Sequence, residues 1–282
     1  MRTNELVAEA SKRLRGAMTP AASLIMILLL TAWGLALATH AFSLLLHSMF
    51  LHSDTTQPLV SAMPVLFGTA CFLLICGPLW LNARRWFFRL DEGFVPLRTA
   101  FYYVSSISRY RKTLCFTLSV TGLRFFAALF CFLPAAIVWA AVRVVAFADV
   151  YTLLAVILDG ILFILGIAFS YYLLSGLFLS EYLFISGQKH TPFSAVRCSF
   201  QLMRGGRGRL FKLLCSLIPY FLISLAVVTL PLTVPHIESC FAVLAKQLLT
   251  ENQSGAFKDP DRQDGGEYVP PTVPRCAAVR PM

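Results

Sequence analysis

An all-α, polytopic integral membrane helix bundle of about five spans, with amphipathic cytoplasmic segments between them, is the fold class that three observations predict. The chain of 282 residues is 57% hydrophobic and only 13% charged, where soluble domains carry about 25% charged residues. Its apolar residues fall in unbroken runs long enough to cross the roughly 30 Å of bilayer hydrocarbon, which takes about 20 residues. Its Lys and Arg residues gather in alternate gaps between those runs, as the positive-inside rule requires of cytoplasmic loops.

The elements follow in chain order. Residues 1–20 form a polar, helix-compatible cytoplasmic segment with Lys12, Arg13 and Arg15 just ahead of the first run. That run far exceeds the roughly 7–15 residues of a signal-peptide core, so it reads as an uncleaved helix. Within a transmembrane domain covering 21–249, spans are predicted near 22–46, 59–81, 114–142, 151–179 and 210–234. The stretch 236–249 is shorter and carries Glu238 and Lys246, which suits an interfacial helix. Residues 250–282 are rich in Gly, Pro and charge without apolar period. They cannot bury enough surface to offset their ordering entropy, and a disordered tail is expected.

Orientation comes from the short loops. The first twenty residues hold four Lys/Arg (Arg2, Lys12, Arg13, Arg15). The gap after the second run holds seven, Arg84 to Lys112, and the gap after the fourth holds six, Lys189 to Lys212. The two opposite gaps hold none and one (Arg143). The N-terminus is therefore expected in the cytoplasm, and five spans leave the tail outside. This distribution also accounts for the net charge of +10, so nucleic acid is not an expected partner.

Polar chemistry is sparse. None of the eight cysteines forms a Cys-x-x-Cys pair, which argues against a metal or disulfide framework. His40, His47 and His52 cluster with Asp54 near the outer end of the first run and read as interfacial side chains. No metal or cofactor is expected. No nucleophile stands beside a base, so the reading leans away from an enzyme. Both long basic loops share an order of aromatic patch, turn (Gly93 and Pro96; Gly187 and Pro192), short helix and arginine cluster. Either duplication of a two-span unit or the common demands of cytoplasmic loops produces that order.

Two constellations stand out as candidate sites. The first is an interfacial basic helix. Thr191 and Pro192 suit an N-cap and first helical position. Phe193, Val196, Phe200 and Met203 then share one face, opposite Ser194, Arg197, Gln201 and Arg204. With Arg207 and Arg209 beyond it, this segment suits anionic lipid headgroups or a membrane protein partner. Gly205 to Arg209 lacks the Lys-Ser/Thr of a phosphate-binding loop. The second is an intramembrane charge pair. Counted at 1.5 Å per residue, Arg124 and Asp159 fall at similar depths in adjacent spans, and an isolated charge there costs about 2.5–3.5 kcal/mol or more. Pairing would either lock two helices or form a polar site for a proton or small solute. Glu181 reads as an isolated helix-end acid.

The second basic loop also resembles a bacterial membrane family known as domain of unknown function 975. The residues concerned are Ser199 to Met203, Gly205, Arg209 to Leu213 and Ser216. The loop from Arg84 to Lys112 is similar in placement to the family's earlier loop. Leu217 and Tyr220 only loosely match the family's aromatic step, and Pro235-His236 stands where it has Pro-Tyr. The resemblance implies a multi-pass fold in a bacterial inner (plasma) membrane and supplies no active site. The function expected is that of a non-enzymatic membrane component acting through lipid or partner contacts at its basic cytoplasmic face. The alternative is a small-solute or ion transporter or channel using Arg124 and Asp159.

Overall fold

The computed structural model describes residues 3–49, 57–90, 95–144, 149–187 and 191–253. Among them are eight α-helices: α1 (Thr3–Leu14), α2 (Met18–Met49), α3 (Gln57–Phe88), α4 (Ile107–Val144), α5 (Asp149–Ile185), α6 (Pro192–Leu202), α7 (Arg207–Ile223) and α8 (Leu230–Gln253). Short 3-10 turns sit at Leu97–Phe101 and Val227–Thr229. Five helical stretches are long and apolar enough to cross a membrane: Met18–Ser48, Ala62–Phe88, Ile107–Ala141, Leu154–Ile185 and Val227–Glu251. The chain is a multi-pass, all-helical membrane protein. His52, Asp54 and Gly93 lie outside the described residues, as does the tail beyond Gln253, on which the expectation of disorder falls.

The last part of the chain departs from the sequence reading. The run 210–234 is not one helix, because α7 stops at Ile223 and α8 starts at Leu230. The stretch 236–249 is not a separate interfacial helix but the body of α8. The break has a local cause. The Thr229 hydroxyl donates to the carbonyls of Ile223 and Ala226 at 2.6 and 2.7 Å, taking acceptors that a continuing helix would use. Pro231 then sits at the start of α8, where a missing N–H costs nothing. A hydropathy count averages over a window, and Ser224 and Thr229 barely lower it in a turn otherwise made of Leu, Ala and Val.

The chain forms two compact units. The first comprises Met1–Leu118 with Phe211–Thr250. Here α2 and α3 pack closely: the Phe42 and Phe67 rings lie 4.9 Å apart, and a Cβ on Gly68 would stand 2.7 Å from the Thr39 methyl. Pro78 interrupts the α3 ladder and frees the carbonyl four residues before it. That carbonyl, of Leu74, accepts the Tyr110 hydroxyl at 2.7 Å. After α3 the chain folds back on the helix end. Asn82 accepts the Tyr103 N–H at 2.9 Å, and the Trp86 indole donates to the Val95 carbonyl at 3.2 Å.

The second unit comprises Ser119–Leu210 with the segment from Glu251. Its frame is the antiparallel contact of α4 and α5. A Cβ on Gly166 would lie 2.9 Å from the Cys131 carbonyl oxygen, so only glycine lets the backbones approach so closely. Phe132 and Phe163 meet at 5.5 Å. Gly187 adopts a φ of 74°, the left-handed geometry that ends a helix, and α6 then runs back along α5.

Candidate functional site

The site develops from how α6 meets α5. Ser199 donates from its hydroxyl to the Gly176 carbonyl at 2.6 Å, and the Phe200 ring lies against Gly176 with no room for a Cβ. Farther along, the Tyr171 hydroxyl donates to the Arg207 carbonyl at 3.0 Å. The face of α6 that packs inward is Ala195, Cys198, Ser199 and Leu202, and the aromatic and basic residues that the sequence placed on opposite faces do not divide that way. Small side chains admit close backbone approach, and that outweighs the greater hydrophobicity of Phe. Phe193 is left 84% exposed. The N-terminus forms at Thr191 and Pro192 as expected, although Thr191 bonds the Ser194 hydroxyl at 2.6 Å rather than a backbone N–H.

Phe193, Val196, Arg197, Phe200, Gln201 and Arg204 therefore share the outward face of α6, with aromatic and basic groups mixed. Together with Tyr172 and Arg207 they line an open cleft of about 640 Å³. The Arg207 guanidinium lies 3.7 Å from the Tyr172 ring centroid, a cation–π contact. Its Nε is buried without a hydrogen-bond partner. Among the described residues, no carboxylate pairs with Arg197, Arg204 or Arg207. Arg209 differs: it holds Glu251 through two bonds of 2.8 and 2.7 Å. Of the four arginines singled out in the sequence, three line the cleft and the fourth is occupied elsewhere. Only Arg197 belongs to α6 itself; Arg204 lies in the following turn, and Arg207 and Arg209 open α7.

On the other side of Phe200 lies a second cleft, of about 490 Å³. Its walls are wholly apolar and include Leu123, Phe126, Phe130 and Leu133 of α4 and Leu173 and Leu177 of α5. Phe200 is common to both clefts.

The expected Arg124–Asp159 pair is not formed. Arg124 bonds Glu181 instead, with Nη1 and Oε1 2.6 Å apart. Asp159 lies in a small cleft with Phe132, Ala135, Ala136, Trp139 and Phe163, and its Oδ1 is buried without a partner. The reason is register. With Cys131 against Gly166 and Phe132 against Phe163, Asp159 comes level with residues near Trp139. That is about 14 residues, or roughly 20 Å, from Arg124 along α4. Side chains on a helix lean toward its N-terminus. On antiparallel neighbours Arg124 and Glu181 therefore lean toward each other. Sequence counting failed because depths were taken from opposite ends of the runs 114–142 and 151–179, each about 43 Å long, as if both fitted a core of roughly 30 Å.

This register also places the clefts in depth. At 37 residues, α5 is about 55 Å long, far more than the roughly 30 Å core. Even a 40° tilt leaves part of it projecting. Arg124 and Arg143 bracket a stretch of α4, residues 125–142, that has no charge. Opposite its Arg124 end stands Tyr172. The basic cleft thus lies at the Arg124 end of this uncharged stretch, with the apolar cleft running from it beside α4.

One further cation in the first unit escaped the sequence reading. Arg85 is only 8% exposed and its Nη1 has no hydrogen-bond partner. It stacks on Tyr102 at 3.4 Å and lies 5.2 Å from Tyr103, and Arg109 approaches the Tyr102 ring at 4.2 Å. Two tyrosines in a loop between two arginine-bearing helix ends were the available signal. His40 and His47 both lie on α2 and are exposed, and among the described residues no three His, Cys, Asp or Glu side chains gather to hold a metal. No family model, curated protein or solved structure matches the chain.

Proposed function

We propose that this chain is a non-enzymatic membrane component that holds an anionic phospholipid at the basic cleft, with its N-terminus and arginine-rich loops in the cytoplasm. The observation that carries the reading is the cleft's chemistry: three arginines without carboxylate partners among the described residues, one with a buried unbonded donor, beside a wholly apolar cleft across Phe200. A phosphodiester supplies acceptors for Arg197, Arg204 and Arg207, whose charge-assisted bonds are about twice as strong as neutral ones. The attached acyl chain passes Phe200 and lies between α4 and α5. Each basic group near an anionic leaflet contributes about 1 kcal/mol. The charge split between loops and the loop resemblance noted above support a bacterial inner membrane.

The test is retention of lipid through purification in mixed phosphatidylglycerol and phosphatidylcholine discs, read by native mass spectrometry. One phosphatidylglycerol per chain is expected to survive, and to be lost from an Arg204→Gln, Arg207→Gln double variant. Equal retention of both lipids, or retention unaffected by the double variant, would sink the reading. The permeation alternative has lost the Arg124–Asp159 level on which it rested, and no other observation favours it.

A further inference from the structure

From the first unit we infer that α7 and α8 form a re-entrant hairpin whose apolar tip enters one leaflet and returns. The fifth apolar helix then does not cross the membrane, and α8 ends on the same side as α1. The ligand of this surface is the acyl-chain layer of a single leaflet.

Four contacts fix the level of α8. Glu238 pairs with Arg84 at 3.1 Å, both largely buried, and Arg84 is four residues from the end of α3. The Ser239 hydroxyl points to the Ala10 carbonyl of α1 at 3.4 Å. The Lys246 ammonium stands 4.7 Å from the Phe88 ring, so α8 runs onward past the end of α3. Tyr220 of α7 meets His236 of α8 with centroids 4.4 Å apart, so the two limbs lie side by side. Residues after Glu238 thus belong with the end of α3 and with α1, whose Glu5, Glu9, Lys12 and Arg13 exclude it from hydrocarbon.

Burial says the same. Half of the apolar window in Val227–Glu251 is buried within the protein, against 11–17% in the other four candidate spans. Those four present their apolar surface to lipid, whereas α8 spends its own on protein. The most exposed apolar residues of the hairpin stand at its tip: Leu225 at 80%, Val227 at 71% and Val228 at 89%. From Glu238 back to Val228 is about ten residues, or roughly 15 Å, half of the hydrocarbon thickness.

A turn in lipid must satisfy its own backbone, and this one does so in large part. Leu225 and Ala226 donate to Leu222 and Ile223 at 3.2 and 3.1 Å, and Thr229 donates its N–H to Ala226 at 2.9 Å. The hydroxyls of Ser224 and Thr229 take the carbonyls of Phe221, Ile223 and Ala226.

The experiment uses the full chain in sealed vesicles with an epitope after Met282, and an Ala8→Cys site on α1 as the reference for one side. The epitope is expected to be cleaved only from the side on which Ala8→Cys reacts with an impermeant maleimide. A fluorophore at Val228→Cys, in a background lacking the other cysteines, is expected to be quenched best by lipids spin-labelled near mid-bilayer. An epitope on the opposite side would overturn the inference, because α7–α8 would then cross once. Labelling of Val228→Cys from the opposite surface would also overturn it, because the two limbs would then each cross. The epitope arm needs no cysteine replacement, so it stands if the cysteine-free variant fails to fold.

Discussion

Replacing either partner of the Arg124–Glu181 pair tests the register of α4 and α5 most sharply. Glu181 is 8% exposed and Arg124 33% exposed in their side chains, and their closest atoms are 2.6 Å apart. Removing one member of a buried pair costs about 3–5 kcal/mol, because the other charge stays desolvated. Water at the arginine end screens part of this, so Glu181→Gln is expected to cost about 2–3 kcal/mol. That corresponds to roughly a 30- to 150-fold change in the unfolding equilibrium. Arg124→Gln is expected to cost a similar amount, and the double variant less than the sum of the singles by at least about 1 kcal/mol. The assay is reversible unfolding of purified protein in mixed micelles by titrated SDS, followed by tryptophan fluorescence. An Arg124/Asp159 cycle run alongside should be additive within about 0.5 kcal/mol, since the two sites are far apart. Additivity at Arg124/Glu181, or coupling at Arg124/Asp159, would refute the register.

Other expected outcomes follow from the same contacts. Gly176→Ala drives a methyl into the Phe200 ring, whose Cδ1 would be 2.6 Å away; it should cost about 1–3 kcal/mol and reduce lipid retention with Arg204 and Arg207 intact. Arg209→Gln should leave phosphatidylglycerol retention unchanged in native mass spectra, because that arginine is engaged by Glu251. Thr229→Val removes the hydroxyl that closes the α7–α8 turn and should destabilise by about 1–3 kcal/mol in the micelle titration. Burial holds the Tyr103 phenol above its usual range, against the lowering influence of Arg85. The unfolded chain therefore loses that proton first as pH rises past about 10. Tyr103 should accordingly contribute stability that is present below that pH and lost above it, and Tyr103→Phe should flatten the alkaline limb of a stability–pH curve.

Much of the helical frame was legible in the sequence, because lipid replaces burial as the destination of apolar side chains and long runs then speak for themselves. α2 to α5 were found that way, and Pro192 marked the start of α6. What hydropathy could not resolve was anything decided by side-chain size or hydroxyl placement. The inward face of α6 was hidden because Ala195, Cys198 and Ser199 are less apolar than Phe193 yet are the side chains that are buried, with Ser199 bonded to the Gly176 carbonyl. The α7–α8 break was hidden because a single Thr229 hydroxyl barely lowers the hydropathy of the apolar run around it. Arg197, Arg204 and Arg207 were recognised as a group from basic spacing alone, but the engagement of Arg209 by Glu251 spans 42 residues and leaves no local trace. The Arg124 partner was missed because runs of about 43 Å were counted against a core of roughly 30 Å, which hid more than about 10 Å of separation between Arg124 and Asp159.

Occupancy of the cleft between α5, α6 and the start of α7 by one anionic phospholipid can be seen in a density map of the protein in phosphatidylglycerol discs. A phosphate-sized peak is expected within hydrogen-bond distance of Arg204 and Arg207, joined to chain density that passes Phe200 toward Phe130 and Leu133. A cleft filled only by solvent, or chain density whose headgroup lies away from the three arginines, would contradict it.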